Sequence, residues 1–149
     1  RSIQGVAAAS LYIACRRCRI VRTLEEVGES FRLTKKEISR IYRFLRRRLK
    51  TDPPRFDPEM YLSKLVSQLS LTGKTEVIAE KVLNMAAELR LTNGRSPSGM
   101  AAAVTYIACI LMKDRITQGN IAEIVNVTEV TIRNRYKELV QEINIKVEL

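Results

Sequence analysis

An internal repeat constrains this chain more than any other feature. Residues 1–45 overlay residues 95–139 at a constant shift of 94 residues, with no gap. Arg1, Ser2, Gly5, Ala7 to Ala9 and Tyr12 to Cys15 return as Arg95, Ser96, Gly99, Ala101 to Ala103 and Tyr106 to Cys109. The register then holds through Thr23/Thr117, Glu29/Glu123, Thr34/Thr128, Ile38/Ile132, Tyr42/Tyr136 and Leu45/Leu139. These sixteen identities in 45 positions at one spacing are too many for chance. A repeat of this length is a whole domain rather than a solenoid unit, so each copy tells what the other should look like.

The charge is divided unequally between the copies. Residues 1–50 hold fourteen Lys or Arg against four Glu, whereas residues 51–149 hold twelve of each sign. The whole excess of +10 therefore sits on the first copy. Such a patch suits a polyanion or an acidic protein; a soluble basic surface without a partner is the alternative. The 149 residues, 46% of them hydrophobic, suffice for one or two small cores. The longest apolar runs, Gly5 to Cys15 and Gly99 to Met112, are too short to span a bilayer, so no membrane association is expected. No signal-peptide pattern is evident, and the initial Arg suggests a fragment or processed product. Three cysteines without secretory context point to a reducing compartment. Cys15 and Cys18 form a C-x-x-C, but no second pair completes a zinc site. Because Cys15 is matched by Cys109 inside an apolar segment, it reads as a small buried hydrophobe. No metal or cofactor is expected.

The local pattern is helical throughout. Both segments ending in Tyr-Ile-Ala-Cys are apolar nearly all round and should be surrounded by other helices. In each copy a threonine then opens a short helix: Thr23 with Glu26 at capping-box spacing, and Thr117 before Ile121, Ala122, Ile124 and Val125. A second threonine opens the next helix. Thr34 with Glu37 precedes inward-facing Ile38, Ile41, Tyr42 and Leu45, and Thr128 precedes Ile132, Tyr136, Leu139 and Ile143. Short helix, tight turn and longer helix make a helix-turn-helix, twice. Between the copies, residues 51–58 with three prolines read as an extended linker. Two more helices are expected. One runs from about Glu59 to Leu69 (Leu62, Leu65, Val66 and Leu69 inward) and is broken by Thr72-Gly73. The other runs from about Lys74 to Leu91 (Ile78, Val82, Met85, Ala86 and Leu89 inward) and is stopped by Asn93-Gly94. No segment alternates as a strand, so the fold class is all-α. The second copy then has five helices, and the first lacks counterparts of two and should leave apolar surface uncovered.

The outer face of the second helix-turn-helix helix differs between copies. In the second it carries Val130, Arg133, Asn134 and Lys137; in the first, Lys36, Ser39, Arg40 and Arg43. Lys and Arg without an apolar companion suit phosphate neutralisation, which gives affinity without sequence information. A branched methyl beside an arginine suits base edges, with Val130 against a thymine methyl and Arg133 bidentate to guanine. In the alternative reading, Val130 sits at the edge of the core and Arg133 is merely solvated.

The motifs AAASLYIACRR (Ala7 to Arg17), RTLEEV (Arg22 to Val27), TKKEISRIYRFL (Thr34 to Leu45), SPSGMAAAVTYIA (Ser96 to Ala108) and TEVTIRNRYKEL (Thr128 to Leu139) resemble the core domain of archaeal transcription factor B, the relative of eukaryotic transcription factor IIB. The resemblance implies two tandem cyclin-like five-helix repeats, the first without its first two helices: 1–50 as a partial repeat, 51–58 as linker and 59–149 as a second repeat with the helix-turn-helix. It implies promoter DNA and TATA-binding protein as partners, and RNA polymerase through regions absent from this chain, in the archaeal cytoplasm at the nucleoid or in a eukaryotic nucleus. Val130 and Arg133 match positions that read the element upstream of the TATA box, supported by Thr128, Thr131 and Arg135. Lys35 and Lys36 match positions near the DNA backbone, and Arg40 and Arg43 extend that basic face. Arg16, with Arg17 beside it, matches a position that meets carboxylates on TATA-binding protein. The run Arg46 to Arg48 ends a helix, where cations suit the dipole; it either touches phosphate or faces solvent.

Three other classes stay open at this stage. A cyclin-like module that docks a protein regulator would need an acidic or apolar groove. A dimeric helix-turn-helix repressor would need a self-complementary surface. An enzyme is disfavoured: the chain has no histidine, no Gly-rich phosphate loop and no carboxylate pair in an apolar pocket.

Overall fold

The computed structural model describes residues 2–144; Arg1 of the first copy and residues 145–149 of the expected second repeat lie outside the described residues. The chain divides into two compact units, Arg1–Phe56 and Asp57–Leu149. All regular structure among the described residues is α-helical.

The first unit contains α1 (Ile3–Arg17), α2 (Leu24–Phe31) and α3 (Lys35–Arg48). Ala8, Ala9 and Ile13 of α1 pack with Val27 of α2 and with Ile38 and Tyr42 of α3. Both expected capping boxes form. The Glu26 backbone N–H donates to Thr23 Oγ1 at 3.1 Å while Glu26 Oε2 accepts from the Thr23 N–H at 2.6 Å. The Thr34–Glu37 pair repeats this at 3.3 and 2.7 Å. Each cap satisfies orphan donors of the first turn, which fixes where the helices begin.

One expectation fails in this unit: α1 is not surrounded. Ile3 is 89% exposed, Leu11 is 44% exposed, and Ala7 and Ala14 are open beside them. Their repeat mates other than Pro97, namely Ala101, Thr105 and Ala108, are buried. The cause is visible in the second unit, where two helices cover that side. Among the described residues the first unit has no equivalent of them.

The second unit contains α4 (Pro58–Leu69), α5 (Gly73–Glu88), α6 (Pro97–Leu111), α7 (Gln118–Val125) and α8 (Glu129–Ile143). Helix α6 is its axis, touched by all four others. Met100, Ala103, Val104, Ile107 and Ala108 of α6 meet Leu62, Ala79, Val82, Leu83, Ala86 and Leu139. Ala101 and Ala102 meet Leu65, Ile121, Ala122, Val125 and Ile132. The alanines let neighbours approach closely, and the larger side chains interdigitate over them.

Helix α5 departs from the sequence reading. It ends at Glu88, and Met85 and Leu89 are 40% and 53% exposed rather than inward. The side that meets α6 is set by Thr75, Ala79, Val82, Leu83 and Ala86, which turns Met85 and Leu89 outward at 3.6 residues per turn. The helix is stopped by Arg90 in the left-handed region (φ 58°), with Leu91 N–H donating to Ala86 O at 2.9 Å. Gly94 (φ 70°) lies in a later turn. Likewise α4 ends at left-handed Ser70, and Thr72 caps the start of α5 rather than breaking α4.

The repeated Arg-Ser-x-x-Gly motif has a common structural cause. Ser2 and Ser96 are N-caps whose Oγ accepts from the N–H of Gly5 and Gly99, at 3.0 and 3.1 Å. A Cβ on Gly5 would lie 2.2 Å from Ile41 Cδ1; on Gly99 it would lie 2.6 Å from Ser96 Oγ and 3.1 Å from Thr131 Cγ2. Glycine therefore lets the last helix of each copy cross the first turn of the Tyr-Ile-Ala-Cys helix. The tyrosines of the repeat form a second shared device: Tyr12–Tyr42 and Tyr106–Tyr136 are edge-to-face pairs with centroids 5.2 and 5.3 Å apart.

Candidate nucleic-acid interface

In the second unit α7 and α8 are joined by Asn126, Val127 and Thr128. Asn126 is left-handed (φ 54°), which makes the turn tight, and Val127 N–H donates to Ala122 O at 3.1 Å. Ile121 and Ile132 anchor the two helices from inside, both fully buried. This fixes the face that α8 turns outward. Val130 is 57% exposed, and Arg133, Asn134 and Lys137 are open beside it. More than half of this branched apolar side chain thus faces solvent, on the same helix face as the exposed Arg133.

The three neighbours expected to support this face are held within the unit. Thr128 caps α8, its Oγ1 accepting from the Thr131 N–H at 3.2 Å and lying 3.0 Å from Thr131 Oγ1. Thr131 also turns its methyl toward Gly99. Arg135 Nη1 stands 2.8 Å from Glu138 Oε2, an ion pair whose angle falls short of a hydrogen bond. Glu138 in turn accepts from Arg95 Nη2 at 3.0 Å. These residues set the position and orientation of α8; the open donors belong to Arg133, Asn134 and Lys137.

In the first unit, Lys36, Arg40 and Arg43 lie exposed on α3. Lys35 pairs with Glu25 at 2.6 Å across α2 and α3 while its side chain stays largely exposed. Arg40 and Arg43 join Arg46 and Arg47 around a groove of about 480 Å³. The sequence signal for this grouping is the spacing of arginines at three and four residues along one helix.

Arg16 has a different setting. Its Nε donates to Pro54 O at 3.0 Å, its Nη2 to Pro53 O at 2.9 Å, and its Nη1 to the Tyr42 hydroxyl. The guanidinium also lies 5.7 Å from the Tyr42 ring centroid. It ties the extended segment after α3 to α1 with three of its five N–H donors. Arg17 donates to Thr51 Oγ1 at 2.8 Å in the same direction.

The remaining reactive groups are sheltered or scattered. Burial pushes the Cys109 thiol up to about 11, with Asp114 adding to the effect. Burial also raises the Cys15 thiol, while Cys18 is exposed at the end of α1. Among the described residues, no cluster of three or more His, Cys, Asp or Glu is placed to hold a metal. No described helix is long and apolar enough to cross a membrane.

Comparison with known proteins agrees with this arrangement. The family described as Transcription factor TFIIB repeat matches residues 1–48 and again residues 51–142. A protein of Methanocaldococcus jannaschii named Transcription initiation factor IIB is 51% identical over 149 residues, all of this chain and 22% of that protein. Proteins of the same name from Methanothrix thermoacetophila and Methanococcus maripaludis (strain C7) are each 50% identical, over 99% and 100% of this chain and 44% of their own length. The chain thus spans less than half the length of these relatives. With both copies matched and half of all positions identical to archaeal relatives, the chain belongs to the transcription factor TFIIB repeat family.

Proposed function

We propose that this chain is the promoter-binding core of an archaeal transcription initiation factor, acting on DNA at the nucleoid in complex with TATA-binding protein. In this reading α8 enters the major groove upstream of the TATA box. Val130 packs on a thymine methyl and Arg133 takes the O6 and N7 of a guanine. Thr128, Thr131 and Arg135 hold α8 at the angle this requires. Lys35, Lys36, Arg40 and Arg43 of the first unit meet phosphates, which adds affinity without sequence information. Arg16 and Arg17 hold the segment that follows α3, and the remaining donors of Arg16 meet carboxylates on TATA-binding protein. Polymerase recruitment belongs to parts of the longer relatives outside this chain.

The observation that carries the reading is the exposed Val130 beside Arg133, where the repeat mates are Lys36 and Ser39. An exposed apolar group has no use in phosphate neutralisation and a direct one at a base edge. Arg133→Ala, measured against a panel of duplexes with single base changes upstream of the TATA box, should lose about 1–3 kcal/mol on the duplex with its guanine and almost nothing on the others. A uniform loss across the panel would reassign Arg133 to the backbone.

A further inference from the structure

Helix α5 turns an apolar row away from the core. Val77 is 47% exposed, Met85 and Leu89 lie open further along, and Ile78 is half-buried beside them. At 3.6 residues per turn these four fall within about 120° of the helix circumference, on the side away from buried Leu83. Near the start of α5 the row becomes a groove of about 390 Å³, lined by Gly73, Lys74, Val77, Ile78 and Met112. A Cβ on Gly73 would meet nothing within 4 Å, so this end of the groove is open. Single apolar side chains are ordinary on a surface, whereas a contiguous row beside a groove marks an interaction site.

The cations on this face select the occupant. Lys74 and Lys81 stand within the row, and Lys113 follows Met112 in the left-handed turn (φ 60°) after α6. All three are exposed, and none makes an ion pair among the described residues. A phosphate backbone has no use for the apolar row, and a two-fold dimer through this face would bring the lysines of one copy against those of the other. An acidic amphipathic helix satisfies both features. Its apolar side chains at i, i+3, i+4 and i+7 enter the row, and its carboxylates meet the lysines. From Lys74 to Leu89 the chain rises about 22 Å, room for roughly four turns of such a helix. Met85 and Met112, unbranched and polarizable, adapt to the entering side chains. We propose that the outer face of α5, with Met112, is a docking groove for an acidic amphipathic helix of a protein partner. The groove uses none of the residues assigned to DNA, so it stands or falls independently of promoter reading.

The test is NMR and fluorescence anisotropy of the full chain with a labelled synthetic helix of about 18 residues, leucine at the anchor positions and glutamate elsewhere. Salt is kept at about 0.15 M, which screens diffuse attraction to the basic first unit. A micromolar complex is expected from a groove of this size, with amide shifts at Val77, Lys81, Met85 and Met112. Val77→Asp/Met85→Asp should weaken binding about tenfold or more, whereas Leu11→Asp on the open side of α1 should change it less than about twofold. Circular dichroism checks the fold, and Lys74→Glu/Lys81→Glu, with the same loss expected, serves if the first pair unfolds. The same helix with glutamine for glutamate should bind about tenfold more weakly. Shifts confined to α1 or α3, or equal affinity for the glutamine helix, would overturn the proposal. A parent chain that sediments as a dimer and becomes monomeric in the α5 variants would overturn it in favour of a second copy. Binding to anionic phospholipid vesicles that is lost in those variants, while helix binding is kept, would overturn it in favour of a lipid surface.

Discussion

Arg16 directly follows the repeated Tyr-Ile-Ala-Cys segment, yet its mate in the second copy is Ile110 and the tyrosine pair beneath it is common to both. Its acceptors are the Tyr42 hydroxyl and two carbonyls 37 and 38 residues away. Arg16→Ala should therefore destabilise the first unit by roughly 2 kcal/mol, since charge-assisted bonds to partly buried groups are lost. Chemical denaturation would register this without DNA or partner present, and an unchanged midpoint would mean that these bonds do not stabilise the unit in solution. No local pattern encodes such a long-range bond, so the resemblance named the residue without revealing what holds it. The cysteines were more legible, because Cys15 and Cys109 occupy matched apolar positions. Iodoacetamide at mildly alkaline pH should label Cys18 in the native chain, while Cys15 and Cys109 react only after denaturation. Mass spectrometry of the labelled peptides decides it.

At the scale of elements, helix starts were readable and helix ends were not. Threonine caps leave a signature in the residues that follow, and Thr23, Thr34, Thr117 and Thr128 all cap as expected, whereas the caps at Ser2 and Thr72 were not read. The ends fall on left-handed residues such as Arg32, Ser70 and Arg90, where no glycine marks the turn. Tertiary packing holds these conformations against a local cost of about 1 kcal/mol each. Gly99 shows the converse: its place in the motif was plain, but its cause needed the crossing with α8. Gly99→Ala should cost about 1–3 kcal/mol by forcing Ser96 or Thr131 aside, visible as a lower unfolding midpoint. The Thr34–Glu37 box carries a pH signature. Hydrogen bonds from the Thr34 backbone and side chain hold the Glu37 carboxyl below its ordinary value. Its contribution is thus complete above the unfolded carboxylate pKa, about 4.3, and is lost as pH falls through the lowered folded value. An NMR titration should find Glu37 titrating at lower pH in the parent chain than in Thr34→Ala; equal midpoints would mean that the Thr34 hydroxyl does not bond to Glu37 in solution.

For the whole molecule, duplication made the fold legible and divergence between the copies suggested the proposed function. The shift of 94 residues foretold two helical bodies with a shared three-helix pattern, and the described residues contain both. The exposed side of α1 was also foretold by comparing copies, although reading its apolar character alone predicted a surrounded helix. The proposed function rests on the unmatched positions: Lys36, Ser39 and Arg40 against Val130, Arg133 and Asn134. The central claim is that the second copy gives a sequence preference upstream of the TATA box that the first copy does not. It is tested most directly by gel-shift of this chain on a TATA promoter, with and without TATA-binding protein, using intact and base-substituted upstream elements. The account predicts a complex that is strengthened by TATA-binding protein and weakened by the upstream substitutions. Equal binding to both promoters, with no effect of TATA-binding protein, would contradict it.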